Sequence, residues 1–211
     1  MAEPASRLRE IVAATKPRRD AAPDAPTPSP WTRPNLAGRL VELCGGPAAA
    51  PLTSAVALVL DAQRRGETAA WVASRESSFF PPDVDENGVD LAALPVVRVP
   101  APEHVARAGE RLLRSGAFDL VVLDLGREAP PLALLTRMLG LAERHDAAVL
   151  FLVERPASAP SLGSVVSLRV ESRRTRIAEG RFAFELRALR DKRRPAGWRH
   201  SEERRGPEGL R

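Results

Sequence analysis

The sequence predicts an α/β protein: a mostly parallel sheet flanked by helices, with an antiparallel hairpin at one edge. Two observations carry that expectation. From Gly38 onward, short apolar runs alternate with stretches of helical periodicity. Beyond Ser164 apolar and polar residues alternate strictly, the mark of strands with one wet face.

The first apolar run is Arg39–Cys44, followed by a helical stretch over Leu52–Arg65 and a second run over Thr68–Ser74. Strand, helix, strand is the order of a parallel βαβ unit. Val96–Val99 comes next, then a helix over Glu103–Ser115 whose Val105, Leu112 and Leu113 share a face, then the apolar run Asp119–Leu125. A helix near Leu132–Arg144 precedes the strand Ala147–Val153. Leu120 to Leu123 and Val149 to Val153 are apolar at successive positions, as central strands covered on both faces are. Val166, Leu168 and Val170, then Phe182, Phe184 and Leu186, alternate with polar residues and predict a hairpin that turns near Ala178–Gly180.

With 211 residues and 44% hydrophobic content, the chain is sized for one core with appendages. Four segments follow from composition: an N-terminal helix over 1–16, a proline-rich linker over 17–35, the α/β domain over 36–189 and a basic tail over 190–211. In the first, Leu8, Ile11 and Val12 form an apolar stripe behind a Ser6 cap. A helix that short is not stable alone, so the stripe is a candidate partner contact. The linker carries prolines at 17, 23, 26, 28, 30 and 34, which block helix and sheet ladders alike.

The net charge is +5, and residues 187–211, with nine basic and four acidic side chains, hold that whole surplus. The rest of the chain is close to neutral, which argues against a broad nucleic-acid surface on the domain. From Arg190 the charge and the Pro/Gly content leave nothing to build a core, so the tail is expected to be mobile, with Arg193, Arg194 and Trp198 as candidate partner contacts. The run Arg173 to Arg176 reads as a solvated strand end that discourages edge pairing, with a partner or phosphate contact as the alternative. No run of eighteen apolar residues exists, and charges interrupt the first fifteen, so neither a membrane span nor a leader is expected and the chain reads as cytoplasmic. Cys44, the one cysteine, lies in an apolar run and reads as a small core residue; His104, His145 and His200 lack partners for a metal site.

The segment Gly46-Pro-Ala-Ala-Ala-Pro-Leu-Thr-Ser54 falls between the first strand and first helix. Together with Gly88 to Leu94, Val96 to Val99 and Leu112 to Asp124, it resembles the ATPase core of bacterial RecA, from Gly38 to Ala188. A working phosphate loop reads G-x-x-x-x-G-K followed by Ser or Thr: backbone amides cradle the phosphates, lysine bridges the outer ones, and the hydroxyl holds magnesium. Here the four positions are Gly46, Pro51, Leu52 and Thr53. Proline removes an N–H donor and leucine replaces the cation, so the resemblance implies a chain that neither binds nor hydrolyses ATP and carries no cofactor or metal.

Asp124 stands at the family's magnesium-side position and is expected to bond local backbone or Thr53. Glu76 meets the family's water-activating glutamate only with a one-residue shift, Arg75 taking the unshifted place, and Glu154 stands where the family carries a nucleotide-sensing glutamine. The two DNA-gripping loops of that family are reduced here to about 126–131 and 154–164, with Arg127 and Arg155 their only basic residues. Weak or no nucleic-acid binding is therefore expected of the core.

A RecA-like core with these losses resembles ImuA and its SulA-like relatives. That resemblance implies a non-catalytic, nucleoid-associated adaptor in damage-induced translesion synthesis. Its implied partners are ImuB, an inactive polymerase homologue, an error-prone C-family polymerase, and RecA as a further candidate. The alternatives are a direct modulator of RecA and a nucleic-acid binder acting through the tail.

Overall fold

The computed structural model describes residues 29–46 and 50–205. The expected N-terminal helix with Leu8, Ile11 and Val12, and the linker up to residue 28, lie outside the described residues. The described chain runs α1 (Arg33–Leu36), β1 (Arg39–Cys44), α2 (Pro51–Arg64), β2 (Ala69–Ser74), α3 (Pro81–Glu86), β3 (Val96–Val99) and α4 (Val105–Ser115). It continues with β4 (Leu120–Gly126), α5 (Leu132–His145), β5 (Ala148–Val153), β6 (Leu168–Ala178), β7 (Arg181–Asp191) and β8 (Arg199–Arg205).

The strands form one eight-stranded sheet in the order β3-β2-β4-β5-β1-β6-β7-β8. The pairs from β3 across to β6 are parallel, whereas β6–β7 and β7–β8 are antiparallel. The expected architecture, a RecA-like mostly parallel sheet flanked by helices with an antiparallel hairpin at one edge, is the one observed. The turn lies where the alternation placed it, with Gly180 at φ +63, a conformation that glycine adopts without strain.

Alternate strand residues divide the core in two. Val41, Leu43, Trp71, Val122 and Leu150 pack with α2 on one face; Leu40, Val72, Val121, Leu123 and Phe151 pack with α4 and α5 on the other. On the second face Gly109 lets α4 approach β4 closely, since a Cβ there would lie 2.5 Å from a Leu123 methyl.

Two boundaries differ from the sequence expectation. The last residues of the predicted linker belong to the domain: Trp31 is buried, its indole N–H donates to the Ser54 carbonyl at 2.9 Å, and the Arg33 amide donates to Asp61 at 2.8 Å. Proline density masks this, because Pro30 and Pro34 flank a segment that packs through one aromatic side chain. The tail is also built in. β7 continues to Asp191, and β8 pairs along β7 from Arg187↔Arg199 to Arg181↔Arg205.

The anchor of that extension is an ion pair between Arg39 and Asp191, 2.6 Å apart, with side chains 2% and 1% exposed. Asp191 also accepts from the Trp198 indole at 3.0 Å and the Arg193 amide at 2.9 Å. Burial opposes its charge, but the Arg193 amide, Trp198 and Arg39 outweigh burial and hold the carboxyl below the usual range.

Removing one partner of such a pair leaves a buried uncompensated charge. Asp191→Ala is expected to cost about 3–5 kcal/mol in urea unfolding at neutral pH. Because the folded-state value is depressed, the stabilisation is present above the ordinary carboxylate range and fades as pH falls through the lowered value. The gap between wild type and variant should accordingly narrow in acid, and a variant of unchanged stability at neutral pH would contradict this role.

Candidate functional site

The site predicted from the sequence lies at the C-terminal ends of β1 and β4 and the start of α2. Gly46 is exposed, and Pro51 is the first helical residue, where a missing N–H is tolerated and φ is already suitable. No side chain caps this end; the first bond runs from the Ser54 amide to the Ala50 carbonyl at 3.2 Å. Leu52 is turned to packing and lies against the core on the α2 face. Ser54 is buried and its hydroxyl meets that of Ser172 on β6 at 3.3 Å.

Thr53 lines a narrow cleft between α2 and the antiparallel strands. Trp31 and Ala57 form one side of it; Phe184, Leu186, His200, Glu202 and Arg204 form the other. Asp124 is elsewhere: its carboxylate accepts from the Ser77 hydroxyl at 2.5 Å, and the Gly126 amide supports it. No hydrogen bond joins Thr53 to Asp124 among the described residues, so Ser77 takes the part expected of Thr53. The only sequence signal for Ser77 is its place just beyond the β2 strand. The Glu76 side chain makes no bond to Asp124; its amide is held by the Ser74 hydroxyl at 3.3 Å.

Burial raises the Asp124 carboxyl above its ordinary value and the nearby Glu154 charge adds to this, while Ser77, Gly126 and Arg98 pull it back. Arg98, whose charge acts on Asp124, is occupied by the carbonyls of Ser74 and Phe79 at 3.1 and 2.9 Å and lies over the Phe79 ring.

The two shortened loops are tied to each other. The Glu154 amide donates to the Gly126 carbonyl at 2.7 Å, Arg127 pairs with Glu154 at 3.5 Å, and Arg155 donates to the Arg127 carbonyl at 3.2 Å. The second loop is also pinned from below by Glu42, which is fully buried in the middle of β1. Glu42 accepts from the Ser161 hydroxyl and the Leu162 amide, and meets Arg169 of β6 at 3.0 Å as an ion pair without a directed hydrogen bond on those atoms. A glutamate inside an apolar run is the readable sign of this contact, and apolar periodicity alone gives it no weight.

The residues expected as tail contacts are engaged within the domain. Arg193 donates to the carbonyls of Ala37 and Gly38 at 2.8 and 3.3 Å, Arg194 to the Asn35 side chain at 2.6 Å, and Trp198 packs on the core while bonding Asp191. These contacts place Arg193, Arg194 and Trp198 in the folded domain and correct the expectation that the tail is mobile. His200 is bonded to Glu202 at 2.9 Å and approaches the Ser29 hydroxyl at 3.3 Å. His200 first, then Arg204, against burial, hold the Glu202 carboxyl at about 2. Among the described residues no cluster of three metal-ligating side chains occurs, and no helix is long and apolar enough to cross a membrane.

Because the folded-state value of Asp124 is raised, its ionisation opposes folding: stability is lost as pH rises from the ordinary carboxylate value through the raised one. Asp124→Asn keeps an acceptor for Ser77 and removes the charge. Its melting temperature should equal or exceed that of wild type at pH 8, with the advantage shrinking toward pH 4. A variant less stable than wild type at pH 8 and equal to it at pH 4 would mean that the carboxylate is held by favourable charge contacts instead.

Over 88 residues, 41% of its length, the chain is 36% identical to the RecA protein of a Nocardioides species. Over 87 residues it is 34% identical to RecA of Rubrobacter xylanophilus and 36% identical to RecA of Chlorobaculum tepidum. Each match covers 25% of the relative, so the chain spans about a quarter of the length of the curated relatives it matches. No family model matches the chain. The similarity and the sheet order together support a RecA-like relationship.

Proposed function

We propose that this chain is a non-catalytic RecA-like adaptor of damage-induced translesion synthesis, similar in role to ImuA. In this reading it binds an ImuB-type polymerase homologue, joins an error-prone C-family polymerase to it, acts in the cytoplasm at the nucleoid, and has RecA as a further partner. The observation that carries the reading is the first turn of α2. Where a triphosphate site of this fold places a permissive glycine and a lysine, Pro51 starts the helix and Leu52 packs on the core. Neither offers a phosphate a hydrogen-bond donor or a cation from its side chain. The carboxylate and hydroxyl of a magnesium site, Asp124 and Thr53, take separate partners or surroundings.

With no reactive constellation assembled among the described residues, this reading leaves the fold as a scaffold for binding other proteins. The alternative of direct RecA modulation draws on the same similarity to RecA. The alternative of nucleic-acid binding by a free tail loses its basis for residues 190–205, which are strand and turn in this domain.

Attachment is assigned to the apolar stripe of Leu8, Ile11 and Val12. Leu8→Asp with Ile11→Asp is expected to abolish co-purification of the polymerase partners from DNA-damaged cells while leaving the melting temperature of dilute protein unchanged. A drop of several degrees with partner binding retained would make the stripe part of the domain core and remove it from the interface.

A further inference from the structure

We propose that the face of the β6–β7–β8 wing turned toward α2 binds single-stranded nucleic acid. β1 ends at Cys44, which pairs with Glu171, whereas β6 continues past it to Ala178. Residues Arg173–Ala178 are all exposed, so β6 and β7 project beyond the parallel sheet, with β8 alongside. Register sorts their side chains onto two faces. Arg174 lies opposite Phe184 and Arg176 opposite Phe182, and across the next pairing Phe184 lies opposite Glu202 and Phe182 opposite Arg204. That face is continuous with Ser172 and Leu186, which meet α2 and its cleft.

The two faces treat charge differently. On the far face Arg173 and Arg187 pair with Glu171, Arg181 with Glu203, and Arg199 with Glu185. On the near face Arg204 pairs with Glu202, but among the described residues Arg174 and Arg176 have no carboxylate in ion-pair contact. Arg174 instead lies over the Phe182 ring at 5.2 Å. On the far face those four arginines are all ion-paired, sharing three glutamates, whereas the near face presents two guanidinium groups without a paired carboxylate beside two half-buried aromatic rings.

That combination defines the ligand. Arg174 and Arg176 are alternate residues of one strand, about 6.6 Å apart, close to the step between phosphates of an extended single strand. Phe182 and Phe184 add flat apolar surface at the same level, where unpaired bases stack without regard to sequence. An acidic peptide would satisfy the arginines and leave the rings without a flat partner. The site is separate from the shortened loops, whose arginines are already bonded, and it does not depend on which protein partner the chain has.

The test is fluorescence anisotropy of the full chain with labelled oligothymidylate and, as a second arm, oligouridylate, across a salt series. Both are expected to bind weakly and with salt sensitivity. Arg174→Glu with Arg176→Glu should weaken binding at least tenfold and lower the salt slope by about 1.4, the release expected from two single-strand phosphate contacts. Phe182→Ala should weaken it severalfold, whereas Arg181→Ala with Arg199→Ala on the far face should leave it within about twofold. Photo-crosslinking of the unmodified chain to a thiopyrimidine oligonucleotide should map to residues 172–184, a readout that needs no variant to fold. The proposal is overturned if the intact chain binds neither oligonucleotide at low salt, if the charge reversal has no effect, if crosslinks map elsewhere, or if polyglutamate competes as well as the oligonucleotide does.

Discussion

Arg39 begins the strand that sits between β5 and β6, and Asp191 ends β7, 152 residues later in the chain. Buried as they are, neither charge is tolerable without the other, and this single requirement fixes where the C-terminal part of the chain goes. Once Asp191 is in place its remaining acceptor sites order the turn after β7 through the Trp198 indole and the Arg193 and Arg194 amides. The same turn sends the Arg193 and Arg194 side chains back to Ala37, Gly38 and Asn35. The entry to β1 and the exit from β7 are therefore one structural unit, and β8 is a consequence of it. Most of the basic side chains in residues 187–205 are held by internal contacts, which removes the argument for a mobile basic arm.

In the reading proposed above, the start of α2 is a phosphate loop that no longer holds phosphate. A helix N-terminus keeps its partial positive charge whatever its sequence, so on that reading the particular residues there have to account for the loss of anion binding. Proline deletes a donor at the first position, and leucine exchanges a solvated cation for a side chain in contact with the core. Ser54, bonded to Ser172, and the Ser54 carbonyl, bonded to Trp31, then fasten the turn to β6 and to the N-terminal approach. Asp124 is left with a hydroxyl, an amide and the smaller pull of Arg98, which together do not offset burial, and its pKa is raised. These are packing solutions.

The parallel core is legible in the sequence because it rests on composition over whole segments. Runs such as Leu120 to Leu123 and Val149 to Val153 are central strands in the structure as they read in the sequence, and the alternation after Ser164 marks β6 and β7. The features that sequence patterns miss are set by single long-range contacts. Nothing local to Trp31 distinguishes a linker residue from one whose indole meets Ser54, and nothing local to Asp191 announces Arg39. The arginine-rich stretch after Ala188 reads as mobile because burial of charge is ordinarily unfavourable; pairing offsets that cost, and pairing is invisible in one dimension. At the candidate site the missing glycine and lysine are plain from the sequence, whereas the Ser77 partner of Asp124 and the Glu42 anchor of the second loop require the fold.

Whether a RecA-like domain here has given up its triphosphate site is tested most directly by titration calorimetry of the full chain with magnesium and ATP. No saturable heat is expected from the wild-type protein. Saturable binding by the wild type that disappears in Thr53→Ala or Asp124→Ala would contradict the loss of the site, because those two side chains would then be acting together on a bound nucleotide.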